Sequence, residues 1–292
     1  MTLSIIIVNW NVKPLLERCL SSIFLYGKNL DYEVLVVDNN SIDGSREFLT
    51  DLAKKKQGLR VILNKKNLGF AVANNQAIKI SKGEFILFLN PDAEVGGGTL
   101  QKMVYFMEKN SDCGIAGCQI IGIDGKIQLS VRAFPALISQ ILIFLKLPHL
   151  FPNLPSLKKY FLYFFDYSKE QEVDQLMGAF LMTRQEMLQE IGLFDENFFI
   201  WFEEVDLCLR AKEANWQVIY TPRTKILHHG GQSFKQVLSL SKQKIFNQSV
   251  IYYFKKHHPA YQSFILKILN PISLFLAYLT DKFISHGNFK RK

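Results

Sequence analysis

The sequence has few cysteines, and none are paired at metal or redox spacing. Cys19, Cys113, Cys118 and Cys208 are scattered, with no CxxC. This argues against a zinc ribbon and predicts reduced thiols in a cytosolic protein. No GxGxxG follows the first apolar run and no GxxxxGK[ST] occurs, so the usual dinucleotide fingerprint and the P-loop are unsupported. No charged stretch precedes the short apolar run Ile5 to Val8, so no secretory signal is expected. No uninterrupted apolar run reaches the roughly 20 residues of a spanning helix. Internal repeats and low-complexity tracts are also missing. Acid is nearly absent from the last fifth of the chain. From Lys235 to Lys292 there are ten Lys or Arg against Asp281 alone, leaving 25 basic and 25 acidic residues in the remainder. The net charge of +9 therefore belongs to the tail. It points to an anionic membrane surface met by that tail, with no call for nucleic acid.

What is present is 292 residues, enough for one large domain or a domain with an appendage, and an aromatic content that includes 24 Phe. Short apolar runs at Leu3–Val8, Tyr32–Val37, Leu59–Leu63 and Phe85–Leu89 suit strands buried on both faces, and helical patterns separate them. That alternation predicts an α/β fold, Rossmann-like, with a mostly parallel sheet and helices on both faces. Ligands of such sheets bind beyond the carboxyl ends of the strands. Asn9, Asp38, Asn67 and Asp92 recur at those ends. Each alone is ordinary turn chemistry; together they read as a polar crevice. Ile115–Cys118 and Gln119–Ile123 read as strands, with a hairpin at Asp124-Gly125. Residues 135–167 break the pattern. They are apolar and interrupted by Pro148, Pro152 and Pro155, and read as a flexible insertion near the acceptor entrance.

The most informative stretch is Phe194 to Arg210. Glu203, Glu204 and Asp206 directly follow the aromatic run Phe198 to Phe202. An acidic helix start is one reading, with Arg210 within a turn of Asp206. The other is a carboxylate at the mouth of a cleft, made more basic by an apolar wall. Asp92 suits a hard divalent cation that also takes substrate phosphate oxygens, and Asn90 shares its side of the strand. His228 can add a nitrogen ligand; His229 competes for that role.

These segments together resemble the family 2 glycosyltransferases of GT-A fold, and their rhamnosyltransferase-like branch most closely. The residues that carry the resemblance are Ser4 to Asn11, Val36 to Ser45, Asn67 to Phe70, Leu89 to Asp92, Gly178 to Phe180, Phe194 to Arg210 and His228 to Ser233, in the family's order. The resemblance implies an inverting transfer of a sugar, such as rhamnose from dTDP-rhamnose, from a nucleotide diphosphate to a lipid-linked or glycan acceptor in bacterial surface polysaccharide assembly. It implies Glu204 as base, with Asp206 as rival. Asn9, Asp38, Asn67, Asn90 and Gly178 would hold the donor. Asp92 and His228 would hold Mg2+ or Mn2+. Glu203 and Asp206 would hold the helix and Arg210. Two positions depart from the family: Asn90 stands at the first DxD position, and Glu204 stands where Asp is common. Rival readings are an inactive sugar-nucleotide binding protein and a nucleotidyltransferase.

The expected organisation is a catalytic domain over residues 1–234 and an amphipathic helical tail over 235–292. On a helical wheel, Tyr261, Phe264, Ile265, Ile268, Leu269, Ile272, Phe275, Leu276 and Leu279 share one face. Gln262, Ser263, Lys267, Asn270 and Ser273 lie opposite. Asn270-Pro271 is expected to kink or split this helix. The pattern implies peripheral attachment to the inner face of the plasma membrane. Packing on the catalytic body or in a dimer is the alternative.

Overall fold

The computed structural model describes residues 1–230 and 239–287. Gly231, Gln232 and Ser233, the boundary at 234 and 235, and Lys290, Arg291 and Lys292 lie outside the described residues.

The apolar runs form the strands expected of them. β1 (Leu3–Asn9), β2 (Tyr32–Asp38), β3 (Leu59–Leu63) and β4 (Phe85–Leu89) pair in parallel in the order β3-β2-β1-β4. The period-2 alternation sorts their side chains into two cores. Leu3, Ile5, Ile7, Val34 and Val36 pack beneath α1 (Lys13–Tyr26), α2 (Ser45–Lys55) and α4 (Thr99–Lys109). Ile6, Val8, Leu35, Val37 and Phe88 pack beneath α3 (Phe70–Ile78), α7 (Gln185–Ile191) and α8 (Glu203–Glu213).

Beyond β4 the sheet becomes mixed. β10 (Phe180–Arg184) lies antiparallel between β4 and β6 (Cys113–Ile121). β11 (Gln217–His228) runs parallel to β6, then pairs antiparallel with β5 (Ala93–Val95). Short β8 (Gln171–Glu172) joins β11, and β7 (Val131–Arg132) pairs with β9 (Gln175–Leu176) apart from the main sheet. The two runs expected on either side of Cys118 are one strand, β6, because it pairs with β11 on both sides of that point and the register shift there is taken up by β11, between Thr221 and Lys225; the Asp124-Gly125 turn follows it.

The proline-broken insertion is folded. Its prolines punctuate it into α5 (Leu137–Phe144), a 3-10 turn at Leu147–His149 and α6 (Pro155–Phe161), which Pro155 opens as a first-turn residue. α9 (Ser239–His257) and α10 (Ala260–Gly287) follow. A third core joins them to the catalytic stretch. Phe198, Phe202 and Val205 pack with Val250, Tyr253, Phe254 and Leu266, and with Phe144 of the insertion.

α10 departs from expectation twice. It runs through Pro271 as one helix, so the Lys267 carbonyl loses its usual donor there. Ala260–Thr280 is also long and apolar enough to cross a membrane by length and composition, despite Lys267. Part of its polar side faces inward, although Lys267 is exposed. Ser263 and Ser273 are buried, and Asn270 accepts a 2.9 Å bond from Asn247 on α9. Tyr261, Phe264, Ile268, Ile272, Phe275 and Tyr278 point outward and are exposed.

One close approach ties the aromatic run to the strand-end loops. Gly69 has φ +86, and a Cβ there would lie 2.4 Å from the Phe199 carbonyl oxygen. Phe70 N–H donates to that same oxygen. Gly69→Ala should therefore lose at least about 1 kcal/mol of stability, measured by chemical denaturation. An unchanged midpoint would contradict the contact.

Candidate active site

The loops after β1 and β2 are organised around a carboxylate. Asp38 is fully buried. It accepts from Asn9 Nδ2 at 2.9 Å, Ser41 N–H at 2.9 Å and Arg46 at 3.2 Å. Asn67 closes the next loop by accepting from Gly69 N–H at 2.9 Å. These three expected site residues lie along one sheet edge but do not line the cavity described next.

That cavity, of about 290 Å³, opens beyond the end of β4. Asn90, Gly178, Glu203, Glu204 and His228 all line it, with Arg132, Ser130, Gln175 and Trp201. A Cβ on Gly178 would meet nothing within 4 Å, so the glycine leaves room there. His228 Nε2 lies 3.2 Å from Asp92 Oδ1 and 3.4 Å from Asn90 Nδ2. Its other ring nitrogen, Nδ1, is 2.8 Å from Gln128 Oε1, while Gln128 Nε2 donates to the His228 carbonyl at 2.9 Å. That second bond orients the amide. Nδ1 then donates to Gln128, and Nε2 faces Asp92 and Asn90. His229, one residue on, faces the other way and meets Glu94 at 2.8 Å. The period-2 alternation of the strand thus separates the two histidines.

The carboxylates are presented by an unusual turn. Trp201 and Phe202 both adopt left-handed backbone, at φ +64 and +73, before α8 begins at Glu203. Glu203 is buried and Glu204 half-buried; the Oε2 atoms of both are covered and lack hydrogen-bond partners. Burial, and next the charge of Glu204, push the Glu203 carboxyl well above the usual range. Burial also raises Glu204, offset by backbone N–H groups at the helix start and by the Arg132 charge. Asp206 is treated differently. Burial would raise it too, but His257 at 2.6 Å, Lys256 at 2.6 Å and Arg210 at 2.8 Å hold it below its ordinary value. The expected Asp206–Arg210 pair is therefore present. Glu203, expected to share it, turns into the cavity instead.

Asp195 extends this ion cluster, with Lys256 at 2.8 Å and Tyr252 at 3.0 Å. Asn75 on α3 holds both backbone groups of Phe194, at 2.8 and 3.1 Å. Sequence reading missed Gln128 and Arg132. Neither sits in a motif, and only the paired strands β7 and β9 bring that segment to the site.

A mixed sheet with a polar strand-end crevice, an Asn-Pro-Asp turn facing a histidine, and paired carboxylates on a helix start defines the GT-A class of glycosyltransferases. The chain belongs to glycosyl transferase family 2, whose family model matches residues 4–192. It is 28% identical over 242 residues to the N-acetylglucosaminyl-diphospho-decaprenol L-rhamnosyltransferase of Mycobacterium tuberculosis, covering 79% of this chain and 77% of that protein. Among solved structures, a Pyrobaculum calidifontis mannosyltransferase in complex with GDP-Man and Mn2+ matches with a TM-score of 0.60 and 17% identity, over 95% of this chain and 73% of that one. S. aureus TarS in complex with UDP matches at 0.57 and 16%, over 90% and 68%.

The buried pair Glu203–Glu204 carries a pH signature. A raised carboxyl means that the folded chain binds its proton more tightly than the unfolded chain. Stability from this source is therefore present at low pH and falls as pH rises from the ordinary carboxylate range through the raised value. Glu203→Gln should raise the thermal midpoint more at pH 8 than at pH 4, by calorimetry. Equal shifts at both would remove the buried-charge account.

Proposed function

We propose that this chain is an inverting glycosyltransferase that moves a sugar from a nucleotide diphosphate to an acceptor hydroxyl, with Glu204 as base. The observation that carries the reading is one cavity lined by Glu204 together with Asn90 and His228, the histidine that meets Asp92. Glu204 takes the acceptor proton as the hydroxyl oxygen bonds to the anomeric carbon. The bond from that carbon to the diphosphate breaks on the opposite side, and the electron pair leaves with the diphosphate. Glu204 is favoured over Glu203 because it is the less enclosed of the two. Asp206 is already committed to Arg210, Lys256 and His257. Asp38, Asn9 and Asn67 frame the nucleoside end of the crevice.

One carboxylate oxygen and one imidazole nitrogen, 3.2 Å apart, fit a divalent cation that fills its shell with waters and diphosphate oxygens. Asp92 and His228 would hold it, and it would compensate the charge of the departing diphosphate. No cluster of three or more His, Cys, Asp or Glu is present among the described residues, so these two make a sparse site.

The relative from M. tuberculosis supports rhamnose as the sugar and a lipid diphosphate as the acceptor's anchor. Glu204→Gln keeps shape but cannot accept the proton. It should lower turnover about 10²–10⁴-fold with near-normal donor binding. Full activity in Glu204→Gln alongside a dead Glu203→Gln would reassign the base. EDTA should abolish transfer, and Mg2+ or Mn2+ should restore it. Donor hydrolysis by the purified chain also separates an enzyme from an inactive binding protein.

The outward apolar stripe of α10 supports attachment to a membrane surface. Lys255 and Lys282 flank it, while Lys256 is engaged by Asp195 and Asp206, and each base near an anionic leaflet contributes about 1 kcal/mol. Replacing Phe264, Ile268 and Phe275 by Ser leaves the buried side of α10 intact. The triple variant should lose flotation with anionic liposomes while remaining folded; unchanged flotation would remove α10 from this role.

A further inference from the structure

Arg132 sits at a junction. Its guanidinium lies over the rings of Phe161, at 5.4 Å from the centroid, and Tyr160, at 6.0 Å. No carboxylate pairs with it among the described residues, and it lines the cavity that holds Glu203 and Glu204. Tyr160 also lines a second cavity, of about 500 Å³, between α5, α6 and the start of α10. That cavity is walled mainly by apolar side chains, including Phe134, Leu137 and Ile138, with Lys159 and His258 at hand. Tyr261, the first residue of the outward stripe of α10, closes its far side.

From the outside inward, the order is an apolar helix face, an apolar cavity, a guanidinium held on aromatic rings, and a carboxylate pair. We propose that Arg132 binds the diphosphate of an acceptor in which a sugar hangs from an apolar chain, and that the cavity beside Tyr160 takes the first units of that chain. The proposal rests on the glycosyltransferase reading and deepens it. A guanidinium pre-set on ring faces is well suited to bidentate phosphate contact. The aromatic rings limit the rotamer freedom that it would otherwise lose on binding. The donor's own diphosphate has its place near Asp92 and His228, so Arg132 is left for the second substrate. The order also suits the chemistry, because a sugar is the only part of such an acceptor that must pass Arg132 to reach Glu204.

The test is calorimetric titration of the full chain, in EDTA so that no cation bridges diphosphate at Asp92 and His228. Farnesyl diphosphate, farnesol, pyrophosphate and dTDP serve as probes. Farnesyl diphosphate should bind more tightly than farnesol or pyrophosphate. Arg132→Ala should weaken it about 10–100-fold, as expected for losing charge-assisted hydrogen bonds, and Arg132→Lys should weaken it less. Ile138→Asp, which alters only the cavity, should also weaken farnesyl diphosphate while leaving dTDP unchanged. Equal binding by wild type and Arg132→Ala overturns the proposal. So does an equal loss of dTDP binding in Arg132→Ala, which would place Arg132 on the donor. Donor hydrolysis is measured on the same preparations after EDTA is removed and Mg2+ or Mn2+ is supplied. A chain that hydrolyses donor but ignores farnesyl diphosphate keeps the glycosyltransferase reading and loses this one.

Discussion

The site depends on two aromatic residues held in a backbone conformation they disfavour. Left-handed Trp201 and Phe202 cost on the order of 1–3 kcal/mol each, and something must hold them there. α9 does much of it. Phe202 packs edge-on against Phe246 and tilted against Tyr253, and Ser249 donates to the Ile200 carbonyl at 2.9 Å. The turn starts α8 at Glu203 and so sets where Glu203 and Glu204 emerge. α9, which reads from sequence as the beginning of an appendage, is part of what aims the carboxylates.

The same helix separates three acids by their surroundings. Glu203 and Glu204 meet an enclosed cavity, where ionisation is costly and basicity rises. Asp206, two residues on, meets Arg210, Lys256 and His257, and its charge becomes a bolt between α8 and α9. Removing one partner from a buried pair of this kind costs about 3–5 kcal/mol. Arg210 keeps the carbonyls of Ile191, Gly192 and Leu193 as acceptors, which places Asp206→Asn towards the low end. Activity lost through Asp206 is thus expected to come with lost stability, and activity lost through Glu204 is not.

Much of the sheet is legible in the chain. The four parallel strands announce themselves as apolar runs because both faces are covered. β5 does not, since three residues carry no period, and its existence follows from its pairing with β11. β11 is longer than its apolar part suggests, with a register shift between Thr221 and Lys225. Asp92, Asn90 and His228 are readable as chemistry, whereas their meeting requires the β5–β11 pairing. Gln128 and Arg132 carry no signal, because their role comes from where β7 is placed. For α10, periodicity gives two faces but not which one is covered. The hydrogen bonds of Asn247 on α9 with Asn270 and Ser273 settle that in favour of Ser263, Asn270 and Ser273.

The position of β10 has a consequence for how the chain is made. Phe85–Leu89 finds its second neighbour in Phe180–Arg184, about 90 residues later. At synthesis rates of about 5–20 residues per second, that leaves β4 with an open apolar edge for roughly 5–20 s. Such edges invite pairing with other chains. The four-stranded half must therefore wait on the ribosome, shielded or slow to pair, until the strand that completes its middle arrives.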